Sequence, residues 1–436
     1  MVKPVTIVGA GLAGCEAAWQ LLQRNIPVTL YEMRPNQMTP AHKTGHFAEL
    51  VCSNSLRAAG LQNAVGLLKE EMRRMGSLVM TAADATAIPA GGALAVDRQA
   101  FSAYIEHALA QCAGLTICRE EVTALPAGLT IIAAGPLASD QLTQDILRVT
   151  GEEQLFFHDA IAPIVDGASV NMEKAFFASR YGKGDGNDYL NCPMNKEEYL
   201  RFYTELVQGE VFPLREFEKE KHFSGCMPLE SMARFGEDAI RFGPLKPVGL
   251  TLPGGGEAYA VLQLRKENAA GTMYNLVGCQ TRLLQKEQKR IFGLIPGLEQ
   301  AEFLRYGAMH RNTYLQSPDL LDRHQRLLTR PDLYFAGQIT GVEGYVESAA
   351  SGLMAGVTAA AQAMDEALPV FPGETALGAL QNFLQTKTNS FQPMNVNFGL
   401  FPPLQVRFHG KKEKYALLAE RALDRLAAFL AERDKE

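Results

Sequence analysis

Two single cysteines are the residues of this chain best suited to covalent chemistry. Cys226 lies in HFSGCMPLESMARFG, residues 222–236, between a glycine and a Met-Pro turn, and Cys52 lies in FAELVCSNSLRA. Each thiol is a buried filler, a redox centre or a nucleophile, because a cysteine attacks electron-poor carbon once it is activated as a thiolate. No metal-ligand pattern surrounds either cysteine, so the rest of the chain has to decide among these roles.

The remaining cysteines form no redox pair. Cys112 and Cys118 are separated by five residues and match neither CxxC nor CxxxxC, which disfavours a disulfide oxidoreductase. Cys15 falls within a helical pattern and is expected in the core, while Cys192 and Cys279 are expected to be structural or incidental. The odd total of seven cysteines predicts reduced thiols and a cytoplasmic protein.

The chain shows no sign of secretion or of membrane insertion. It opens on VTIVGAGLAG without a basic, apolar leader, so no signal peptide is expected. Its apolar runs are shorter than the roughly 18 residues that a membrane span needs. We therefore expect no membrane partner, and no obligate protein partner is evident.

A glycine-rich turn near the N-terminus predicts a dinucleotide site. GAGLAG carries glycines in GxGxxG spacing between the apolar run VTIV and the helical pattern LAGCEAAWQLLQR, and a second predicted strand, IPVTLYE, ends in Glu32. The glycines allow a tight turn, close approach of a pyrophosphate and close helix packing, while the acid can bind a ribose. The expected contacts are Gly9, Ala10, Gly11, Leu12, Ala13, Gly14 and Glu32. The alternative is a glycine-rich turn in an unrelated α/β fold, and the motif alone does not separate FAD from NAD.

A late glycine-rich unit predicts the other half of a flavin site. PDLYFAGQITGVEGYVESAASGLMAG, residues 331–356, gives a strand, a turn and a helix of small residues. In flavoproteins of the glutathione-reductase type such a unit closes over the flavin, and its helix N-terminus stabilises negative charge on the reduced ring. The expected contacts are Gly337, Gln338, Gly341, Gly344 and Tyr345. A packed helix without a ligand is the alternative.

These units predict an α/β protein, a Rossmann-like FAD-binding domain of glutathione-reductase type with an inserted α+β domain. The FAD-binding domain is expected to comprise residues 1–155 and 311–436, including a C-terminal helix, and the insertion residues 156–310. TIIAAGPLAS, residues 130–139, supplies a further strand. No second GxGxxG opens a helix, so NAD(P)H is expected to dock directly at the flavin.

The formal net charge of -6 gives no global footprint of nucleic-acid binding, but two local clusters are basic. The segment QTRLLQKEQKRIF, residues 280–292, is predicted to be a helix with basic residues on one face. HGKKEKY, residues 409–415, precedes an amphipathic helix. Either cluster could bind phosphates, and a solvated helix face is the alternative. The candidate RNA contacts are Arg282, Lys286, Lys289, Arg290, Lys411 and Lys412.

Nearly the whole chain resembles the folate- and FAD-dependent tRNA (uracil-5-)-methyltransferases, the TrmFO family. The segments that carry the resemblance include VTIVGAGLAGCEAAWQL, YEMRP, TPAHKTGHFAELVCSNSLRA, TIIAAGPLAS, FSGCMPLESMAR, FGPLKPVGL, LVGCQTRLLQKEQKRIFGLIPGLE, MHRNTYLQSP, LYFAGQITGVEGYVESAASGLMAG and PMNVNFGLFPPL. The related wobble-uridine modifying flavoproteins share the two flavin motifs but lack AELVCSNSLRA and GCMPLESMAR in this form.

The resemblance implies methylation of carbon 5 of the T-loop uridine of tRNA. The methyl carbon would come from 5,10-methylenetetrahydrofolate and the electrons from reduced FAD, which NAD(P)H would regenerate. Cys226 and Cys52 resemble the two cysteines that the family uses, one as the nucleophile at carbon 6 of the uracil and the other as acid and base. We assign Cys226 as the nucleophile, although nothing in the sequence orders the two. The alternatives are a wobble-uridine modifier, a small-molecule flavoprotein oxidoreductase and a non-catalytic tRNA-binding or redox-sensing flavoprotein.

Overall fold

The structure is a computed structural model that describes residues 2–151, 155–160, 162–212, 227–387 and 391–433, with only the backbone in 155–160 and 309–313. Cys226 lies outside the described residues. The strands are β1 (Val5–Val8), β2 (Val28–Tyr31), β3 (Ser55–Ala58), β4 (Ala87–Ile88), β5 (Ala93–Val96), β6 (Leu115–Cys118), β7 (Thr130–Ile132), β8 (Leu155–Ala160), β9 (Ile164–Asp166), β10 (Phe176–Phe177), β11 (Tyr189–Met194), β12 (Ala260–Lys266), β13 (Met273–Leu276), β14 (Phe303–Arg305), β15 (Met309–Tyr314), β16 (Arg326–Leu327) and β17 (Arg330–Phe335). The helices are α1 (Leu12–Leu22), α2 (Ala64–Arg74), α3 (Leu78–Ala85), α4 (Arg98–Ala110), α5 (Asp140–Thr150), α6 (Lys196–Gln208), α7 (Leu229–Ala233), α8 (Glu237–Arg241), α9 (Gln285–Phe292), α10 (Ser317–Leu320), α11 (Tyr345–Ala363), α12 (Ala376–Phe383) and α13 (Gly410–Arg433).

The first sheet carries the N-terminal glycine turn at its centre. Its strand order is β16-β17-β7-β1-β2-β6, and all neighbouring pairs except β16 with β17 are parallel. Continuous apolar runs such as VTIV form such strands because helices cover both faces of a parallel sheet. The carboxyl ends of the parallel strands open at one edge, which is where α/β sheets bind their ligands.

Helices α1 and α11 pack closely because glycine and alanine line their contact. A Cβ on Gly352 would overlap the carbonyl oxygen of Ala13, and one on Gly356 would lie 2.8 Å from the carbonyl oxygen of Ala17. The contacts advance in the same direction along both helices, so the helices run parallel. Both N-termini therefore point to the same edge of the first sheet.

The second sheet is antiparallel and has two different faces. Its order is β10-β11-β12-β13-β9-β14. Leu190 and Cys192 on β11 and Leu262 and Leu264 on β12 belong to a hydrophobic core that also includes residues from α6, α7 and α9. Because successive residues of a strand point to opposite faces, the intervening polar residues lie on the other face.

Two paired strands join the sheets. β8 and β15 are antiparallel, with Leu155 opposite Tyr314 and Ala160 opposite Met309. The chain therefore leaves the first sheet and returns to it along one ribbon. The domain boundaries expected from the sequence fall in this ribbon and stay a prediction.

The α/β fold class is confirmed, and two predictions about helices meet different outcomes. The predicted helix 280–292 is wrong at its start, because α9 begins at Gln285 and Arg282 precedes it. The amphipathic C-terminal helix is confirmed as α13, which buries Leu418, Ala422 and Leu426. Among the described helices, none combines the length and the apolarity needed to cross a bilayer.

Replacing Gly352 with alanine should destabilise the protein, because the added Cβ would overlap the carbonyl oxygen of Ala13 and force the backbone of α1 or α11 to shift. Overpacking of this kind costs about 1–3 kcal/mol. The denaturant midpoint of unfolding should fall accordingly. Gly60→Ala is the matched control, since a Cβ there meets nothing within 4 Å. Equal midpoints for the two variants would contradict the close helix contact.

Candidate functional site

A cleft opens at the carboxyl ends of the parallel strands. Most of the expected cofactor contacts line it, namely Gly9, Gly11, Leu12, Ala13, Glu32, Gly337, Gln338 and Tyr345. Residues of the third expected segment, from Ala133 to Ser139, also line the cleft. The two glycine-rich units contribute to this cleft from segments that are far apart in the sequence.

The N-terminal turn has the shape that a pyrophosphate needs. Gly9 has φ 101°, and a Cβ there would lie 2.5 Å from the carbonyl oxygen of Ala133. A Cβ on Gly14 would overlap the carbonyl oxygen of Gly9, so this glycine lets α1 approach the turn. Gly11, the N-cap of α1, has nothing within 4 Å of a Cβ and leaves the first turn without a side-chain cap. The open N-terminus of α1 thus fits the phosphates of FAD.

Glu32 is already engaged by a residue that the sequence analysis missed. Its carboxylate accepts hydrogen bonds from Arg34 Nε at 2.9 Å and from the backbone N–H groups of Arg34 and Ala10 at 3.0 and 3.1 Å. Burial acts to raise the pKa of Glu32, but the Arg34 guanidinium and these N–H groups outweigh it, so the pKa is lowered and the carboxylate stays ionised. Ribose binding by Glu32 stays a prediction.

The glycines of the late turn differ in their positions relative to the cleft. Gly337, with φ 84°, lies against Ala13 of α1 and borders the cleft. Gly341 and Gly344 have φ of 90° and 110° and form the turn itself, but neither is among the residues that line the cleft. The side chain of Gln338 donates to Glu343 at 2.8 Å, which fixes its orientation beside the cleft. A role for each in cofactor binding stays a prediction.

Tyr345 connects the cleft to Cys52. Its hydroxyl accepts hydrogen bonds from the backbone N–H groups of Cys52 at 2.7 Å and Ser53 at 3.2 Å, and it donates to Cys52 Sγ at 3.1 Å. Burial, followed by the nearby sulfur of Cys52, raises the pKa of Tyr345 well above its ordinary value, so the phenol keeps its proton. The half-buried Cys52 therefore lies beside the cleft with a hydrogen-bond donor on its sulfur.

Three arginines that the sequence did not indicate surround the loop that carries Cys52. Arg98 donates to the carbonyl oxygen of Leu50, Arg305 donates to that of Val51, and Arg265 donates to Ser53 Oγ at 2.6 Å. These arginines lie far apart in the sequence. No motif or spacing signals them, because only the fold brings them to one loop.

The basic segment 280–292 is less available than its spacing indicates. Arg282 is buried, and its guanidinium faces Glu230 at 4.0 Å. Lys286 pairs with Glu210 at 2.8 Å, and Arg290 pairs with Glu205 and Glu287. The prediction that Arg282 lies on one helix face with the other cations is wrong, because Arg282 precedes α9 and is buried. An RNA role for Arg282, Lys286, Lys289 and Arg290 stays a prediction.

The C-terminal cluster is open to solvent. Lys411 and Lys412 are exposed in the first turn of α13. Lys411 Nζ lies 5.4 Å from the ring centroid of Tyr415, and Lys414 Nζ lies 5.7 Å from that of Phe408. Exposed cations beside aromatic rings are suited to contacts with a nucleic-acid backbone and its bases. RNA binding here stays a prediction.

The other cysteines match their structural interpretation. Cys15, Cys192 and Cys279 are buried. Burial raises the pKa of Cys192 to about 12, so this thiol stays protonated and unreactive.

Comparisons with known proteins relate the chain to one family. The model of the family described as "Glucose inhibited division protein A" matches residues 4–367. A Heliobacterium modesticaldum protein named methylenetetrahydrofolate--tRNA-(uracil-5-)-methyltransferase TrmFO is 59% identical over 431 residues, which cover 98% of each chain. A Listeria innocua protein of the same name is 58% identical over 426 residues, covering 97% of this chain and 98% of the relative.

Solved structures support the fold independently. Aquifex aeolicus GidA, in its form I crystal, superposes with a TM-score of 0.70 over 99% of this chain and 78% of that chain. The two sequences are 16% identical, so this similarity concerns the fold alone.

Gly11→Ala should weaken FAD binding without weakening the fold. The added methyl meets no protein atom and Gly11 has φ -75°, so alanine is tolerated, but the methyl projects into the space left for the pyrophosphate. We expect the Kd for FAD to rise about tenfold, which corresponds to about 1.4 kcal/mol. Fluorescence titration of the flavin-free protein measures the Kd, and thermal unfolding without flavin is the control. An unchanged Kd would mean that the phosphates lie elsewhere.

Proposed function

The chain belongs to the TrmFO family, within the family of glucose-inhibited division protein A, and on that premise we propose that it methylates carbon 5 of the T-loop uridine in tRNA. The methyl carbon comes from 5,10-methylenetetrahydrofolate, FAD is the cofactor, and NAD(P)H is the reductant, in the cytoplasm. The observation that carries the proposal is the position of Cys52 beside a cleft shaped for FAD. That position fits the activity that the relatives bear in their names.

The chain's own residues would hold and orient the cofactor. The turn from Gly9 to Gly14 and the N-terminus of α1 would bind the pyrophosphate, and Gly337, Gln338 and Tyr345 would border the ring. FAD, when bound and reduced, supplies the hydride that completes the methyl group. The N-terminus of α11 points at the same edge of the sheet and favours negative charge there.

Carbon 5 of uracil has to be made nucleophilic before it can accept the one-carbon unit. A thiolate that adds to carbon 6 forms an S–C bond and moves the double-bond electrons toward the carbon 4 oxygen, which gives an enolate. After carbon 5 has attacked, a base must remove its proton. We propose Cys226 as the nucleophile and Cys52 as the base, with the reverse order as the alternative.

Geometry supports Cys52 as a group that holds and releases a proton. Tyr345 keeps its own proton and donates a hydrogen bond to Cys52 Sγ, which favours the thiolate over the thiol. The buried Glu230, four residues after Cys226, accepts from Thr281 Oγ1 at 2.7 Å and from the backbone N–H of Arg282 at 2.9 Å. This contact anchors the start of α7, directly after the segment that carries Cys226.

The reaction itself is tested with tRNA that lacks 5-methyluridine in its T-loop. Incubation with the purified protein, methylenetetrahydrofolate and NAD(P)H should add one methyl group to that uridine, as measured by nucleoside mass spectrometry. Omission of the folate should abolish the product. If flavin-loaded protein gives no methylated uridine, the proposed activity fails, and the wobble-uridine and small-molecule alternatives are tested next.

The assignment of nucleophile and base to the two cysteines is tested with tRNA that contains 5-fluorouridine, because fluorine at carbon 5 blocks release of the nucleophile. Cys226→Ala should abolish the covalent protein–RNA complex, whereas Cys52→Ala should retain it and lose methyl transfer. Gel electrophoresis under denaturing conditions measures the complex. The opposite pattern would exchange the two roles, and a complex in both variants would exclude both cysteines as the nucleophile.

The RNA path is tested through the salt dependence of binding. Lys411→Ala with Lys412→Ala should weaken tRNA binding and reduce the slope of log K against log salt by about 1.4–1.8, since each of the two lost phosphate contacts removes about 0.7–0.9. Lys286→Ala is the matched control, because its charge is paired with Glu210 and its loss should matter less. A larger effect of Lys286→Ala would place the RNA on α9 instead.

A further inference from the structure

The polar face of the second sheet is turned toward the loop that carries Cys52. Its strand register places Tyr189, Arg265, Asn275, Ile164 and Arg305 directly opposite one another across five strands. Residues directly opposite in neighbouring strands point to the same face, with Cβ atoms about 4.5–5.5 Å apart. Arg265 and Arg305 are therefore separated by two residues of one row, and both side chains reach the same loop.

The two arginines of this row hold the residues on either side of Cys52. Arg305 donates to the carbonyl oxygen of Val51, and Arg265 donates to Ser53 Oγ at 2.6 Å and to Asn54 Oδ1 at 2.9 Å. Arg98, at the start of α4, donates to the carbonyl oxygen one residue further back and to Glu267. Hydrogen bonds from β12, β14 and α4 therefore hold the loop on both sides of the Cys52 thiol.

The charges around Cys52 are unbalanced. Among the described side chains, the guanidinium groups of Arg98, Arg265 and Arg305 and the hydroxyl of Tyr345 interact electrostatically with its thiol. Glu267, which is buried and paired with Arg98, is the carboxylate that faces these arginines. Among the described side chains of this largely buried cluster, three are cations and one is an anion, and a negative charge on Cys52 would offset part of the difference.

Burial makes this imbalance costly. Arg265 is buried and Arg305 is half-buried, so each guanidinium has lost much of its solvation, and this burial lowers the pKa of both. An excess of buried positive charge is stabilised by any nearby anion, and a hydrogen-bond donor on the sulfur acts in the same direction. The neighbouring Arg57 does not change the count, since it is paired with the buried Glu347.

We infer that the second sheet keeps Cys52 as a thiolate at neutral pH, with Arg265 and Arg305 as positioning residues that hold the sulfur beside the cleft. What the thiolate does rests on the proposed function. There it takes the proton from carbon 5 of the uracil, the electron pair of the C–H bond stays with the ring, and Cys52 becomes a thiol.

A purely mechanical role for the arginines has a different consequence. If they only fix the loop, their loss lowers stability and leaves the titration of Cys52 unchanged. If they hold a thiolate, the titration follows the charge, and lysine replaces arginine better than a neutral side chain of similar length does. The two roles are therefore separable by a pH profile.

The test is the titration of Cys52 in the flavin-loaded protein. The difference in ultraviolet thiolate absorbance between the protein and its Cys52→Ser variant, followed against pH, gives the midpoint. Iodoacetamide alkylation of the Cys52 peptide, followed by mass spectrometry, gives a second reading. We expect a midpoint below 7 in the unaltered protein, against about 8.5 for an ordinary thiol.

The variants separate charge from shape. Arg305→Met and Arg265→Met should each raise the midpoint by about one pH unit and slow alkylation at pH 6 about tenfold, since one unit is a tenfold change in thiolate. Arg305→Lys should restore most of the shift. Arg148→Met removes an exposed arginine that is paired with Asp145 and should leave the midpoint unchanged. A midpoint near 8.5 in the unaltered protein, or no shift in both methionine variants, would overturn the inference.

This outcome is independent of methyl transfer. The protein could show a lowered titration midpoint that depends on Arg265 and Arg305 and yet methylate no uridine. That result would support the Cys52 thiolate and contradict the proposed function. Methylation by a protein whose Cys52 titrates as an ordinary thiol would support the function and remove the role of the arginines.

Discussion

The close contact between α1 and α11 is the constraint on which the cofactor cleft depends. Ala13 lies against Gly352 of α11 and also against Gly337 of the late turn, so the two glycine-rich units are in direct contact. A side chain larger than hydrogen at Gly352 would overlap the backbone of α1. Because the helices are parallel, this one contact brings both N-termini to the carboxyl edge of the sheet, where their dipoles act on the same space.

Tyr345 links the packing of α11 to the position of Cys52. It is the first residue of α11, so its position follows from the packing of the helix, and its hydroxyl contacts both the backbone and the sulfur of Cys52. The second sheet completes the setting from the other side through Arg265 and Arg305. The thiol is thus fixed between two parts of the molecule that have separate hydrophobic cores. Neither part alone could define its environment.

The distribution of charge shows why net charge is a poor guide to this protein. The chain is acidic overall, yet it concentrates cations around Cys52 and leaves lysines exposed at the start of α13. Conversely, α9 carries cations at helical spacing, but Glu205, Glu210 and Glu287 pair with them. The Glu287–Arg290 pair follows from spacing within α9, but Glu205 of α6 and Glu210 after it come from outside the helix, and spacing within α9 contains no information about them.

The sequence by itself determined the elements whose signals are local. Continuous apolar runs, glycines at GxGxxG spacing and the small-residue helix specify the FAD-type half of the fold, because strand burial, tight turns and close packing each depend on a few adjacent residues. The long matching segments were enough to indicate the family. These segments also singled out Cys52 and Cys226, but they could not show which cysteine is the nucleophile and which is the base.

Only the tertiary structure decided which residues meet. Arg34 occupies the carboxylate of Glu32, Arg282 turns inward to Glu230, and three arginines from distant segments gather at one loop. Each of these contacts depends on the folded chain, and the sequence around its residues gives no indication of it. Electrostatic interactions depend on distance and burial, and both are properties of the folded chain rather than of the order of its residues.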